Sequence, residues 1–534
     1  MSDAVREKAG SGVFRGGLAV TEEKIVAKIL RYDPTQDEQH RYETYRVPYV
    51  PGMNVLDVLN YVYENLDPSL AYRWNCRAGQ CGSCAVILNG KPCAACRTMV
   101  TKGKTATIAP LIQFPVLKDL VVDVKRGTNR LASVRPYLER AKVQPRPEII
   151  KQDEVDPSGE LRKCLECWAC ISTCPAVAEA WQDFAGPTIM TKLARFRLDN
   201  RDVEDRVKLA FLEGLYNCTT CRQCVEVCPK SINIPEKAIE KLRAYAVDSA
   251  LGPLEGHITV AKYVQDTGKS VQKMTTPFLE QVPEVIDTSN PVDEVIFFTG
   301  CLADYRLQQV AFNVLETLKR NRVKVYIPKD QQCCASPLFR IGMLKLAEEQ
   351  VKKNVKAMER FGVDTVVTGC AGCGLTLRRN FPEVMRRIRG EPQRFSTYDL
   401  TEYLVRILGI EKVAPPAPKP LKVTYHEPCH LGRGQGVFKD PLEVLGLIPK
   451  LELVEMRDYD RCCGAGGGVR SGQRPLAMAI GRRKAELIME SGAEACVTEC
   501  PFCYIQIKDV LNMLGSDIKT YYVADLLAES YTKP

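Results

Sequence analysis

No stretch of the 534-residue chain approaches the roughly 18 consecutive apolar residues that a membrane-spanning helix needs, so any membrane link is expected to come through a partner. The opening residues, Met1 to Val20, mix charges and glycines and lack the apolar core of an export signal. That speaks against a secreted disulfide scaffold and for a cytoplasmic chain whose thiols stay reduced. A basic stripe interleaved with aromatics is missing too: the formal charge is +9, but lysines and arginines are spread along the chain, and the pattern does not point to nucleic acid. Gly464, Gly466, Gly467 and Gly468 do not have the G-x-G-x-x-G spacing of a dinucleotide fingerprint and are expected to let backbone approach a metal site. With no flavin or nicotinamide site legible, hydride chemistry would belong to another polypeptide. His426-Glu427-Pro428-Cys429-His430 fits H-E-x-x-H to the letter, but Pro428 cannot sit inside the helix that a zinc protease needs, and Lys422 to Tyr425 reads as a strand.

Cysteine is what the chain has in excess, with 24 residues, several times ordinary usage. In a reducing compartment, cysteines spaced two and three residues apart point to metal ligands rather than disulfides. The length allows roughly three or four domains. Residues 1–21 read as a flexible tail. Within 22–135, Lys24 to Tyr32 and Tyr42 to Val50 look like paired strands, and Asn54 to Leu66 is apolar at helical spacing. A Pro-rich, charged linker opens a helical region over 136–250. A second linker, 251–292, runs through Pro277, Pro283 and Pro291. Beyond it, strand-like Val295 to Phe298 and Thr365 to Thr368 alternate with helix-like Gln308 to Lys319 and Met343 to Phe361, an α/β pattern with cysteines just past the strands, where open sheets bind ligands.

Cys76, Cys81 and Cys84 follow the plant-type C-x4-C-x2-C spacing, with Cys96 as a later fourth thiolate, and imply a [2Fe–2S] cluster. Zinc also takes four cysteines, but zinc motifs rarely use the four-residue gap. Gly79, Gly82 and Ser83 are small enough to bring backbone amides to the sulfurs. Cys164, Cys167, Cys170 and Cys174-Pro175, then Cys218, Cys221, Cys224 and Cys228-Pro229, are two C-x2-C-x2-C-x3-C-P runs, hence two cubane [4Fe–4S] clusters. The fourth cysteine of such a run ligates the other cluster, giving Cys164, Cys167, Cys170 and Cys228 for one and Cys218, Cys221, Cys224 and Cys174 for the other. Farther on, Cys301, Cys333, Cys334, Cys370 and Cys373 recur as Cys429, Cys462, Cys463, Cys500 and Cys503, at offsets of 128, 129, 129, 130 and 130, so the region is a duplicated half-domain, 293–413 and 414–534. Cys93 and Cys496 stand outside these sets and read as packed thiols.

The cluster order, together with the run Phe114-Pro115-Val116-Leu117-Lys118-Asp119-Leu120-Val121-Val122-Asp123, resembles the iron–sulfur subunit of succinate dehydrogenase and fumarate reductase over about Lys24 to Ala250. That resemblance implies a β-grasp ferredoxin domain, a helical two-cluster ferredoxin domain and an FAD-containing flavoprotein partner that reduces fumarate or oxidises succinate. Quinone-linked members usually lack a cysteine at the place of Cys221, which puts a typical quinone site in doubt here. The ten repeated cysteines resemble the CCG domains of the catalytic subunit of heterodisulfide reductase, which implies a noncubane [4Fe–4S] cluster on each five-cysteine set, two in all. Cys334 is followed by Ala335, and only Cys463 keeps the glycine of the family motif.

The fold class implied is multidomain α+β and α/β, with a duplicated α/β CCG module. Both resemblances together are similar to the thiol:fumarate reductase family, which implies oxidation of coenzyme M and coenzyme B in the C-terminal module and electron transfer inward to the flavoprotein. His426 and His430, beside Cys429, are candidates for proton transfer from the thiols, against ordinary structural hydrogen bonding. Arg306, Arg340, Arg433 and Arg470 are candidates for contacting their sulfonate and phosphate. Two other readings stay open: a quinone-linked succinate dehydrogenase or fumarate reductase subunit with a quinone-side membrane anchor, and a heterodisulfide-reductase-like subunit of another dehydrogenase.

Overall fold

The computed structural model describes residues 24–141 and 148–532; the tail expected over 1–21 lies outside the described residues. The chain forms two compact units. One takes the described residues up to Gly214 together with Gln223–Ile239; the other takes Leu215–Arg222 and the described residues from Glu240 on.

In the first unit, strands Lys24–Arg31 and Arg41–Pro48 pair antiparallel, with Lys24 opposite Pro48 and Arg31 opposite Arg41. They lie at one side of a five-stranded sheet that continues through Ala106–Ala109, Ala85–Leu88 and Lys91–Ala94. Alternation along the first strand turns Ile25, Ala27 and Ile29 inward, where they meet Val55, Val58 and Leu59 of helix Val55–Tyr61. Asn54 starts that helix through a capping box: its side chain accepts from the Asp57 N–H at 3.1 Å while the Asp57 carboxylate accepts from the Asn54 N–H at 3.0 Å. A sheet gripping one helix in this way is the β-grasp arrangement. The run through Asp119 is tied to it, because the buried Asp119 carboxylate accepts from Tyr32 N, Ala71 N and Arg31 Nε.

The rest of this unit is helical. Helix Pro187–Arg197 is buried along most of its length, Thr188, Thr191 and Lys192 included, so it is a central element rather than a surface one. Phe114 packs edge-on against Trp181, with ring centroids 5.1 Å apart, and against Trp168 at 6.1 Å.

The second unit holds two parallel sheets of the same topology. In the first half the order is Ser396–Asp399, Thr365–Thr368, Asp293–Phe297, Val323–Tyr326; in the second it is Lys519–Tyr522, Ala495–Thr498, Leu421–Tyr425, Leu451–Leu453. Numbered within each half this is 4-3-1-2, with the strand order reversing between strands 1 and 3, the point at which open α/β sheets hold ligands. The duplication legible in the cysteines is thus a duplication of fold.

The segment 251–292, expected as a linker, is in part regular structure. It carries helices Glu255–Thr267 and Phe278–Gln281, and Val285–Ile286 adds an antiparallel edge to the first sheet. Phe278 is fully buried against Phe297 and Phe312 at centroid distances of 6.1 and 4.9 Å, and Ala261 and Val264 join the core around the first cysteine set. Its prolines delimit these short elements rather than marking an unfolded connection. No helix among the described residues is long and apolar enough to cross a membrane.

Candidate metal centres

In the first unit the loop from Cys76 to Cys84 leaves Cys76 and Cys81 partly exposed and buries Cys84 and, beyond the hairpin, Cys96. Backbone N–H groups of Ala78 and Gln80 point at Cys76 Sγ, at 3.4 and 3.3 Å. An amide cradle of this kind stabilises negative charge on sulfur. The glycines of this loop also permit close packing. A Cβ on Gly79, at φ +63°, would stand 2.7 Å from the Arg97 side chain, and one on Gly82, at φ +72°, would stand 2.7 Å from the Leu165 carbonyl and 3.0 Å from Cys167 Cβ. Gly82 therefore lets this loop lie against the Cys164–Cys167 loop, within one unit.

Cys164, Cys167, Cys170 and Cys228 line one small cavity, so the fourth cysteine of the second run joins the first three of the first. Burial pushes the Cys167 thiol up to about 11 and Cys170 well above the ordinary range. A buried thiolate is costly unless a cation offsets it, which is the environment an iron–sulfur cluster satisfies. Glu166 and Trp168 both take positive φ, 53° and 65°, and 54 residues later Thr220 and Arg222 do the same at 52° and 65°. The two loops share a backbone conformation that non-glycine residues rarely adopt. Of the second run, Cys218 and Cys221 belong to the second unit, whereas Cys224 and Cys228 belong to the first, as does Cys174 of the first run.

In the second unit every cysteine of both five-membered sets lies past the carboxyl end of a parallel strand. Cys301 and Cys429 follow strand 1 of each half, and the adjacent pairs Cys333-Cys334 and Cys462-Cys463 follow strand 2. Cys370 and Cys500 cap helices Ala371–Arg389 and Pro501–Met513 directly after strand 3, with Cys373 and Cys503 in their first turns. Thiol contacts run in the same order in both: Cys301 to Cys333, Cys333 to Cys334, Cys334 to Cys373, Cys373 to Cys370, and Cys429 to Cys462, Cys462 to Cys463, Cys463 to Cys503, Cys503 to Cys500. The second cysteine of each pair is held toward thiolate, first by a hydrogen bond from the cysteine before it; Cys334 falls to about 6, and Cys463 falls well below the thiol range. Ten converging thiols, nine of them buried and Cys429 half-buried, form donor sets suited to iron–sulfur clusters.

Both sets face a single cavity of about 570 Å³. Arg306, Arg340 and Arg470 line it. Arg433 does not; it donates to the Asp460 carboxylate at 2.7 Å. Arg340 is itself committed to Glu240 at 2.5 Å, and Arg470 hydrogen-bonds Gln506 and Asp509. Arg474, exposed at the cavity and not singled out from the sequence, completes the cationic lining. The two histidines part company: His430 lines the cavity, whereas His426 is buried behind it, beside Cys463 and Cys503. Burial, with the Lys484 ammonium, keeps His426 well below its usual range. Cys496 is buried on its strand and outside both sets, its thiol pushed up to about 12, and Cys93 is half-buried on strand Lys91–Ala94.

Three sets of contacts had no signal in the sequence. Cys221 hydrogen-bonds Cys462, and Cys462 Sγ lies 3.6 Å from Thr219 Oγ1, so the second ferredoxin run touches the second five-cysteine set. The glycines after Cys463 make this possible: a Cβ on Gly466 would stand 2.6 Å from the Thr219 carbonyl and one on Gly467 2.3 Å from the Cys218 carbonyl. Arg243, fully buried, pins the junction by donating to the carbonyls of Leu215, Cys218, Arg340 and Gly467 at 2.6–3.2 Å.

Comparison with known proteins agrees with this layout. Family models match for a 2Fe-2S iron-sulfur cluster binding domain over 26–129, a 4Fe-4S dicluster domain over 160–232 and a cysteine-rich domain over 295–378 and 423–508. The chain is 40% identical over 511 residues to a subunit of the fumarate reductase (CoM/CoB) of Methanothermobacter marburgensis, covering 95% of this chain and 99% of that one. It is 30% identical over 392 residues to a subunit of the dihydromethanophenazine:CoB–CoM heterodisulfide reductase of Methanosarcina barkeri, covering 70% and 94%. A hypothetical protein from Helicobacter pylori, 14% identical, has the same fold across 97% of each chain, with a TM-score of 0.61. The chain is an iron–sulfur electron-transfer subunit of an oxidoreductase.

Proposed function

We propose, from the premise that this chain belongs to the family of that fumarate reductase (CoM/CoB) subunit, that its C-terminal half oxidises coenzyme M and coenzyme B to their mixed disulfide and sends the electrons to a flavoprotein subunit that reduces fumarate to succinate. The observation that carries this reading is the single cavity faced by both five-cysteine sets, which would bring two substrate thiols and two metal centres to one place. The cluster complement we assign is one [2Fe–2S] on Cys76, Cys81, Cys84 and Cys96, two cubane [4Fe–4S] on the two C-x2-C-x2-C-x3-C-P runs, and one noncubane [4Fe–4S] on each five-cysteine set. Iron–sulfur clusters supply one-electron steps, so a series of them joins two separate two-electron reactions.

The reaction balances without a further reagent. Two thiols become one disulfide with the loss of two electrons and two protons, and fumarate takes up two of each. The chain's part at the thiol end is to bind and orient. Arg306, Arg470 and Arg474 offer positive charge to the sulfonate of one thiol and the phosphate of the other, a charge-assisted recognition suited to guanidinium. His430, on the cavity wall beside Cys429, is the residue we assign to take a thiol proton. The contact between Cys462 and Cys221 supports an electron exit from the second set toward the ferredoxin run.

The test is succinate formation by the anaerobically purified complex with fumarate and the two thiols as the only reductants. Turnover that vanishes in Cys429→Ala is the expected result. A complex that reduces fumarate with an artificial dye but never with the thiols would return the donor to a quinone-side partner.

A further inference from the structure

We infer that His426 is a sixth protein ligand of the second C-terminal cluster, a nitrogen donor that the first half does not have. The inference rests on the assignment of a cluster to the Cys429–Cys503 set. One ring nitrogen of His426 and the Sγ atoms of Cys463 and Cys503 all lie within 4.8 Å of one another, and the two sulfurs are 3.4 Å apart. All three residues are buried, and His426 is only 1% exposed. Neither ring nitrogen makes a hydrogen bond, to these sulfurs or to any other group, so the short approach is not an N–H···S contact. A buried imidazole left without partners is unfavourable, and a metal held by nitrogen and sulfurs removes that cost.

The duplicated half supplies the contrast. Counting back three residues from Cys429 gives His426; counting back three from Cys301 gives Phe298, fully buried in the core that contains all five cysteines of the first set. Two otherwise matched donor sets therefore differ by one nitrogen at the same place in the fold.

The chain has only four histidines, so labelling is assignable. Pulsed EPR on the anaerobically purified complex carrying [15N]histidine, in a paramagnetic state without thiols, is expected to show the coupling of a directly bonded imidazole nitrogen. The coupling should persist in His430→Gln and disappear in His426→Phe, the side chain the first half already accommodates. Iron content is compared with that of Cys463→Ala. No shortfall in that variant means the second set holds no cluster and overturns the parent assignment together with this one. A shortfall with no histidine coupling in the wild-type complex overturns this inference alone, as does a coupling that vanishes in His430→Gln. Because the wild-type and His430→Gln spectra decide the matter, a His426→Phe protein that fails to load does not leave it open.

Discussion

The two halves of the C-terminal module have the same strand order and the same run of thiol contacts, yet different surroundings. In the first half, Cys334 leads into Ala335, which takes a left-handed φ of 67° with a side chain. In the second, Gly464 stands there at φ 91°, and a Cβ on it would come within 2.4 Å of the Ala477 carbonyl. The three glycines that follow bring the second half against Cys218 and Thr219, and Gly468 accepts from His257 Nε2 at 2.9 Å. The first half has none of this and seats Phe298 where the second seats His426. Duplication has kept the ligand frame, and divergence has made only one copy a neighbour of the ferredoxin run. Two equal sites could both bind a thiol; only the second lies against Cys221.

The comparison is broken most sharply at the cysteine pairs. Cys334→Ala and Cys463→Ala should each lower thiol-driven succinate formation by about 100-fold or more while dye-driven reduction persists, since loss of a metal ligand removes the site itself. Full thiol-driven activity in Cys334→Ala would make the first copy structural only.

Next in size is the junction around Arg243, which takes the Arg340 carbonyl from the first half and the Gly467 carbonyl from the second. Arg243→Met leaves the carbonyls of Leu215, Cys218, Arg340 and Gly467 without their donor, and thermal unfolding should show a loss of about 4 kcal/mol. His257, on helix Glu255–Thr267 and packed against the same glycine loop, sharpens the contrast through pH. Burial pushes it down to about 4. Below pH 6.5 the unfolded chain takes up a proton that the folded chain refuses until about pH 4, so stability should fall as the pH drops through that window, by at most about 3 kcal/mol. His257→Gln should flatten that slope in denaturant titrations at pH 7 and pH 4.5.

The smallest effects test the backbone difference itself. Gly464→Ala should cost about 2 kcal/mol, because its Cβ meets a carbonyl at positive φ. Ala335→Gly should stay within about 0.5 kcal/mol, relief of left-handed strain being offset by lost methyl packing and greater freedom of the unfolded chain. Equal costs at the two positions would mean that the Gly464 backbone is not held against the Ala477 carbonyl.

Much of the fold is legible in the order of residues alone. Alternation at Ile25, Ala27 and Ile29 marks a half-buried strand, Asn54 and Asp57 mark a helix start, and Thr365–Thr368 reads as the strand it is. Pro428 rules out the protease helix, and Leu421–Tyr425 is indeed a strand. The 251–292 segment misleads because Pro277, Pro283 and Pro291 dominate a local reading, while Phe278 owes its place to Phe297 and Phe312, which are distant in sequence.

Cysteine spacing alone determined that this is an iron–sulfur protein with a duplicated C-terminal module, because ligand sets and repeats are local patterns carried by covalent order. Tertiary structure decided which sets share a cavity, that Cys221 meets Cys462, that Arg243 closes the junction and that His426 rather than a phenylalanine stands behind Cys463 and Cys503. Those are contacts between residues 25 or more apart in the chain, and no periodicity in a chain records which of its segments will be brought together.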